Sequence, residues 1–368
     1  MRRIYGPAFG TFLQGVAPMF GERSKSTGIR KGSSYWQTFV NNSILQENSN
    51  RMETFQETAM TSATSKPLDE DHLASSSNDF CFTWQSPDGL TLTGREWPAQ
   101  MPQDGRAHPG IPVLCLPGLS RNTRDFNDIA QLLQSRGHRV IALDYRGRGL
   151  SDWDPDWRNY ALPIEEKDIA AAIEHLALDR FALLGTSRGG LHALVMGGHY
   201  PASRMAAVIF NDVGPHIEMR AIHRIAATLG RNMKADSLVA VAGNLERTIG
   251  YQFPAFQSAD WLKLAGQLAT EQNGQAIMDY DPALAHQLAS VDDAAPVADL
   301  WHLYENLTDR PVLILHGEHS DLLSAETCKR MVASHPKAEL ETVPGQGHAP
   351  VLWDRATCER VASFVKDI

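Results

Sequence analysis

Ser187 lies within Gly185-Thr186-Ser187-Arg188-Gly189-Gly190, directly after the apolar run Phe181-Ala182-Leu183-Leu184. This pattern predicts a strand, a tight turn with the serine at its apex, and a helix from about Arg188. Glycines two before and two after the serine are required because a Cβ there would collide with neighbouring backbone. A second segment, Pro311-Val312-Leu313-Ile314-Leu315, reads as a buried strand, and Asp321 lies a few residues past its end. In the third, Gly347-His348 follows Val343 at another strand end. Ser187, Asp321 and His348 thus each sit in a loop beyond a strand's carboxyl end, and in a parallel sheet those ends share one edge. A serine hydroxyl is a weak nucleophile until a neighbouring base takes its proton. Histidine titrates near neutrality and suits that task, and a carboxylate fixes its tautomer and stabilises the imidazolium.

Acyl chemistry also needs donors for a developing oxyanion. Val113-Leu114-Cys115-Leu116-Pro117-Gly118-Leu119 reads as a strand ending in a Pro-Gly turn. The main-chain N–H groups of Leu119 and Arg188 are the expected pair of donors. Asp144-Tyr145-Arg146 is expected to brace the loop beside them.

The elements that would position these groups alternate. Strands are expected at 80–85 and 90–97, as a hairpin around Pro87-Asp88-Gly89, and at 112–116, 138–143, 180–184, 206–210, 311–315 and 338–343. Helices are expected at 123–136, 164–178, 188–199, 324–334 and 350–366. That β-α-β order argues for a mostly parallel eight-stranded sheet covered on both faces. From 214 to 309 the alternation stops. Segments 218–229, 237–247, 259–271 and 296–306 read as helices, so this stretch is expected to be a helical cap over the strand ends. Residues 1–78 are rich in Ser, Thr, Asn and Gln and are expected to be a disordered extension. The expected core is then 79–213 with 310–368.

Taken together, Leu116-Pro117-Gly118-Leu119, the run from Asp144 to Asp152 (DYRGRGLSD), Gly185 to Gly190, His316 to Asp321 and Gly347-His348 resemble the α/β-hydrolase family over roughly residues 80–368. Leu116 departs from the histidine that many members carry there. The resemblance implies an α/β-hydrolase fold and a serine hydrolase. His348 would deprotonate Ser187, an acyl-enzyme would form, and a carboxylic ester would be the default substrate. Some members carry the acid after the sixth strand, which makes Asp212 the alternative to Asp321. Lactone or carbon–carbon bond hydrolysis with the same triad is a second reading. A non-catalytic ligand receptor on the same fold is a reading of another class. Arg188 in place of the methionine usual in the carbon–carbon hydrolases counts against that chemistry.

Composition bounds these readings. The chain has 368 residues, 43 % of them apolar, and a formal net charge of −9. That charge argues against a phosphate-backbone partner, and no apolar run reaches the ~18 residues that a membrane span needs. The expected partner is a small acyl substrate, and no oligomeric state is specified. No dinucleotide fingerprint or metal-ligand spacing is present, so no cofactor or metal is expected. Cys81, Cys115, Cys328 and Cys358 lack C-x-x-C spacing and read as free thiols in a reducing compartment. A cytoplasmic location is expected. The basic start of the chain, with six Lys or Arg and one Glu among its first 31 residues, leaves an organellar address as the alternative.

Overall fold

The computed structural model describes residues 79–100, 109–289 and 299–368. The extension expected at 1–78 and the start of the helix expected at 296 lie outside the described residues.

Eight strands form one sheet: β1 (Phe80–Gln85), β2 (Thr91–Trp97), β3 (Val113–Leu116), β4 (Val140–Leu143), β5 (Phe181–Thr186), β6 (Met205–Asn211), β10 (Val312–Gly317) and β11 (Ala338–Val343). Their order is β1-β2-β4-β3-β5-β6-β10-β11. β2 runs antiparallel to β1 and to β4, and every later pairing is parallel. Parallel neighbours require crossovers, which include α1 (Asn127–Ser135), α2 (Leu162–His175), α3 (Arg188–Met196) and α8 (Ala325–Ala333), and α9 (Arg355–Lys366) follows the last strand. The helix expected from 350 starts only at Arg355. Asp354 caps it, its side chain accepting from Thr357 N.

Strand alternation divides the core in two. Leu114, Ile141, Leu183 and Ile314 pack on one face of the sheet, and Val113, Val140, Leu184 and Leu313 on the other. Central strands buried on both faces are continuous hydrophobic runs for this reason. The arrangement puts the ends of β3, β5, β6, β10 and β11 along one edge.

Between β6 and β10 come α4 (Met219–Thr228), β7 (Lys234–Ala235), α5 (Leu238–Ile249), α6 (Ser258–Leu268), β8 (Ala269–Gln272), β9 (Gln275–Met278) and α7 (Trp301–Glu305). This insert is not all helical as expected. β7, β9 and β8 form a three-stranded antiparallel sheet. The helix expected at 259–271 ends at Leu268, and the chain turns back through Asn273-Gly274. Both residues have positive φ (51° and 76°), the geometry of a two-residue hairpin turn.

Candidate active site

Ser187 has φ 51° and ψ −111°, a strained conformation for a non-glycine residue, between β5 and α3. The flanking glycines permit it. A Cβ on Gly185 would run into the carbonyl of Gly189, and one on Gly189 into the carbonyl of Leu116 on the adjacent strand. The turn is also pinned by hydrogen bonds from Ser187 N to Asn211 O (3.0 Å) and from Gly189 N to Pro117 O (3.1 Å).

His348, in the loop after β11, lies against this serine. Its Nε2 is 2.9 Å from Ser187 Oγ, and its Nδ1 is 2.8 Å from Asp212 Oδ2. A carboxylate only accepts, so Nδ1 carries the proton and Nε2 accepts from the serine hydroxyl. The His348 side chain is 8 % exposed and that of Asp212 fully buried. Such a relay can move the serine proton to the imidazole and hold the resulting charge.

The carboxylate in contact with His348 is therefore Asp212, the alternative, and not Asp321, the expected one. Asp212 directly follows β6, with φ 58°. Besides His348 it accepts from Gly317 N (2.8 Å) and Ser320 Oγ (2.6 Å). The turn after β10, closed by Ser320 N to Gly317 O (2.9 Å), spends its serine on Asp212 and carries Asp321 onward to the insert. There Asp321 accepts from Arg224 Nε (2.6 Å) and Nη2 (2.8 Å). Burial alone would raise the Asp321 carboxyl, but the Arg224 pair outweighs it and holds the group below the ordinary carboxylate range.

Leu119 lies in the turn that faces Ser187: a Cβ on neighbouring Gly118 would stand 3.8 Å from that of the serine. Arg188 follows the serine directly at the first turn of α3. Its side chain is buried, with Nε 2.6 Å from Glu165 Oε2 and Nη2 2.7 Å from Tyr160 O.

Gly118, Leu119, Ser187 and His348 open into a cavity of about 280 Å³. Its far wall comes from the insert, including Ile225, Leu229, Val241, Leu245, Leu264 and Met278. Trp153, Trp157, Trp261, Trp301 and Trp353 do not line it. Trp261 and Trp301 are core residues, whereas Trp153 is exposed. Sequence reasoning missed Gln252 of the insert, which is fully buried and accepts from His348 N through Oε1 (2.7 Å). A buried glutamine in a helical stretch carries no signal that ties it to a loop 96 residues away.

Residues 111–355 match the family model described as alpha/beta hydrolase fold. The chain belongs to the alpha/beta hydrolase family. It is 33 % identical over 279 residues to a 3-hydroxybutyrate-oligomer hydrolase of Cupriavidus necator, covering 74 % of this chain and 92 % of that protein. A 2-(acetamidomethylene)succinate hydrolase of Mesorhizobium japonicum is 28 % identical over 238 residues, covering 64 % and 81 % respectively. Among solved structures, an alpha/beta hydrolase from Novosphingobium aromaticivorans superposes with a TM-score of 0.73 at 34 % identity, covering 80 % of this chain and all of that one. These relatives are hydrolases, as is this member of the family. Among the described residues no helix is long and apolar enough to cross a membrane.

Proposed function

We propose that this alpha/beta hydrolase cleaves carboxylic esters by way of an acyl-enzyme on Ser187. His348 takes the hydroxyl proton as Ser187 attacks the carbonyl carbon. Asp212 holds the Nδ1–H tautomer and stabilises the imidazolium. The Leu119 and Arg188 main-chain N–H groups receive the oxyanion. The imidazolium returns its proton to the leaving alkoxide, and water activated by the same histidine then releases the acid. The insert acts as the cap that shapes access. The observation that carries this reading is the continuous hydrogen-bond chain from Ser187 Oγ through His348 to Asp212.

The cavity supports a substrate class. Its lining is largely aliphatic, but three arginines reach it: Arg121, Arg224 and Arg231. Arg121 pairs with Asp125, and Arg224 with Asp321. Arg231 is exposed and has no carboxylate partner among the described residues. An exposed cation on the wall of a largely apolar ester site suits a substrate with a free carboxylate. A linear hydroxyacid ester has that form, and the Cupriavidus relative is named for one. The test is Ser187→Ala on purified protein with p-nitrophenyl butyrate and a 3-hydroxybutyrate dimer. Turnover of both should vanish, and undiminished turnover of either would remove Ser187 from the mechanism.

A further inference from the structure

Beneath the serine turn lies a group of buried charges that the proton relay does not use. Glu165 of α2 is fully buried, as are the arginines it meets. Its Oε1 accepts from Arg148 Nη1 at 2.7 Å, and its Oε2 accepts from Arg188 Nε at 2.6 Å. His192 Nε2 lies 3.2 Å from the same Oε2, and its other ring nitrogen meets Glu166. Burial by itself would push the Glu165 carboxyl up. Arg148 and Arg188 outweigh it and hold the group well below the ordinary carboxylate range, so it stays ionised.

The two arginines lead to different loops. Arg148 donates from Nε to the carbonyl of Leu119 (2.8 Å) and from Nη1 to that of Arg146 (2.6 Å), with its guanidinium over the rings of Tyr145 and Tyr160. Arg188 belongs to the serine turn itself and ties back to Tyr160 O through Nη2 (2.7 Å). Leu119 and Arg188 are the residues whose N–H groups, on the reading above, face the developing oxyanion. They come from separate strand ends, joined directly by the Gly189 N to Pro117 O bond.

We propose that Glu165 is a positioning residue for the oxyanion site, its two oxygens clamping one arginine from each of the two donor loops at a fixed separation. The proposal rests on the reading of Ser187 as nucleophile with Leu119 and Arg188 as donors. Two guanidiniums sealed from water repel one another unless a carboxylate lies between them. An apolar residue would not set the spacing of the two loops, because only directional charge-assisted bonds fix it. An oxyanion donor works only within a few tenths of an ångström of its place, so a slackened clamp lowers transition-state stabilisation and leaves ground-state binding intact.

The experiment compares Glu165→Gln and Arg148→Lys with the parent chain. It reads kcat and KM for p-nitrophenyl butyrate and the inhibition constant of an alkyl trifluoromethyl ketone, whose serine adduct carries a tetrahedral oxyanion. For E165Q, kcat should fall about 10- to 100-fold, less than or equal to the loss of a whole donor. KM should stay within about threefold, and ketone binding should weaken by the same factor as kcat/KM. R148K retains a cation but not the planar fork, and should shift the same quantities in the same direction. A purely structural role would lower the melting temperature and leave kcat and ketone affinity of the folded protein unchanged, which would overturn the proposal. If E165Q does not fold, R148K decides by the same criteria. Ser187→Ala is assayed beside them: if it remains active, the reading of the nucleophile fails. If it is inactive while both clamp variants behave as the parent, only the clamp fails.

Discussion

Replacing Asp212 by Asn removes a charge from a fully buried position and preserves the side chain's size. In the parent chain the carboxylate accepts three hydrogen bonds, from His348 Nδ1–H, Gly317 N–H and Ser320 Oγ–H. Asn offers one oxygen and one NH2 group. Gly317 N–H cannot change its role, so the amide oxygen stays on Oδ1's side and the NH2 replaces Oδ2. That NH2 then faces His348 Nδ1, which must become an acceptor. The proton moves to Nε2, and the ring can no longer receive the proton of Ser187. The expected fall in kcat is about 10⁴-fold, near 5.5 kcal/mol at about 1.4 kcal/mol per decade. Asp321→Asn breaks the two-pronged bond with Arg224 instead. That pair is partly exposed, at 18 % for Arg224 and 13 % for Asp321, so its loss costs stability of about 1 kcal/mol and changes kcat less than about threefold. The assay is p-nitrophenyl butyrate turnover by D212N, D321N and the double variant, with the double matching D212N. A D321N enzyme slowed a hundredfold beside a D212N enzyme near parental rate would refute the assignment.

Four further outcomes follow from local geometry. Gly189→Ala should lower the urea midpoint by the equivalent of about 3 kcal/mol, or prevent accumulation of folded protein, because its Cβ would overlap a β3 carbonyl in the middle of the sheet. Gly266→Ala, in α6 with open space around it, should match or exceed parental stability, and equal midpoints for the two variants would contradict this. Asp88 is held at about 2, chiefly by its hydrogen bond with buried Arg146. Its folded value lies below the usual 3.8, so its contribution is complete above that pH and is lost as the pH falls toward 2. Asp88→Asn should therefore be slightly less stable than the parent at pH 6 in urea titrations, by no more than about 1 kcal/mol because Asp88 is half exposed, with the gap closing in acid. A gap that persists at low pH would exclude the Arg146 pair as its cause. Arg231→Gln should raise KM about fivefold for a 3-hydroxybutyrate dimer, near 1 kcal/mol, and leave p-nitrophenyl butyrate unaffected. Equal effects on both substrates would dissociate Arg231 from the carboxylate.

The sheet was legible in the sequence because its signals are strong and local. β3, β5, β6 and β10 are apolar runs up to their last one or two residues, as buried parallel strands commonly are. The serine turn was legible because its backbone admits so few residues, as Gly185 and Gly189 illustrate. The acid was misplaced for a physical reason. Asp212 and Asp321 both follow core strands, and β6 and β10 are adjacent in the sheet, so strand-end position does not separate them. What separates them is the turn after Gly317, where one hydroxyl, that of Ser320, bonds Asp212 and sends the next carboxylate toward Arg224. In the insert, the Asn273-Gly274 hairpin signal was present, but the short polar strands flanking it, Ala269–Gln272 and Gln275–Met278, lack the apolar alternation that marks a strand. Glu165 had no readable partner, since its contacts lie 17 and 23 residues away and depend on how α2 packs beneath the elbow.

Everything proposed for this site depends on a covalent bond forming at one hydroxyl. The direct measurement is rapid acid quench of the enzyme with excess p-nitrophenyl butyrate, followed by intact mass and peptide mapping. The account predicts a butyryl adduct on the peptide containing Ser187 that forms in the parent enzyme before the steady state and is absent from Ser187→Ala. Full turnover with no acyl adduct at any time point, or an adduct on another residue that turns over at the steady-state rate, would contradict it.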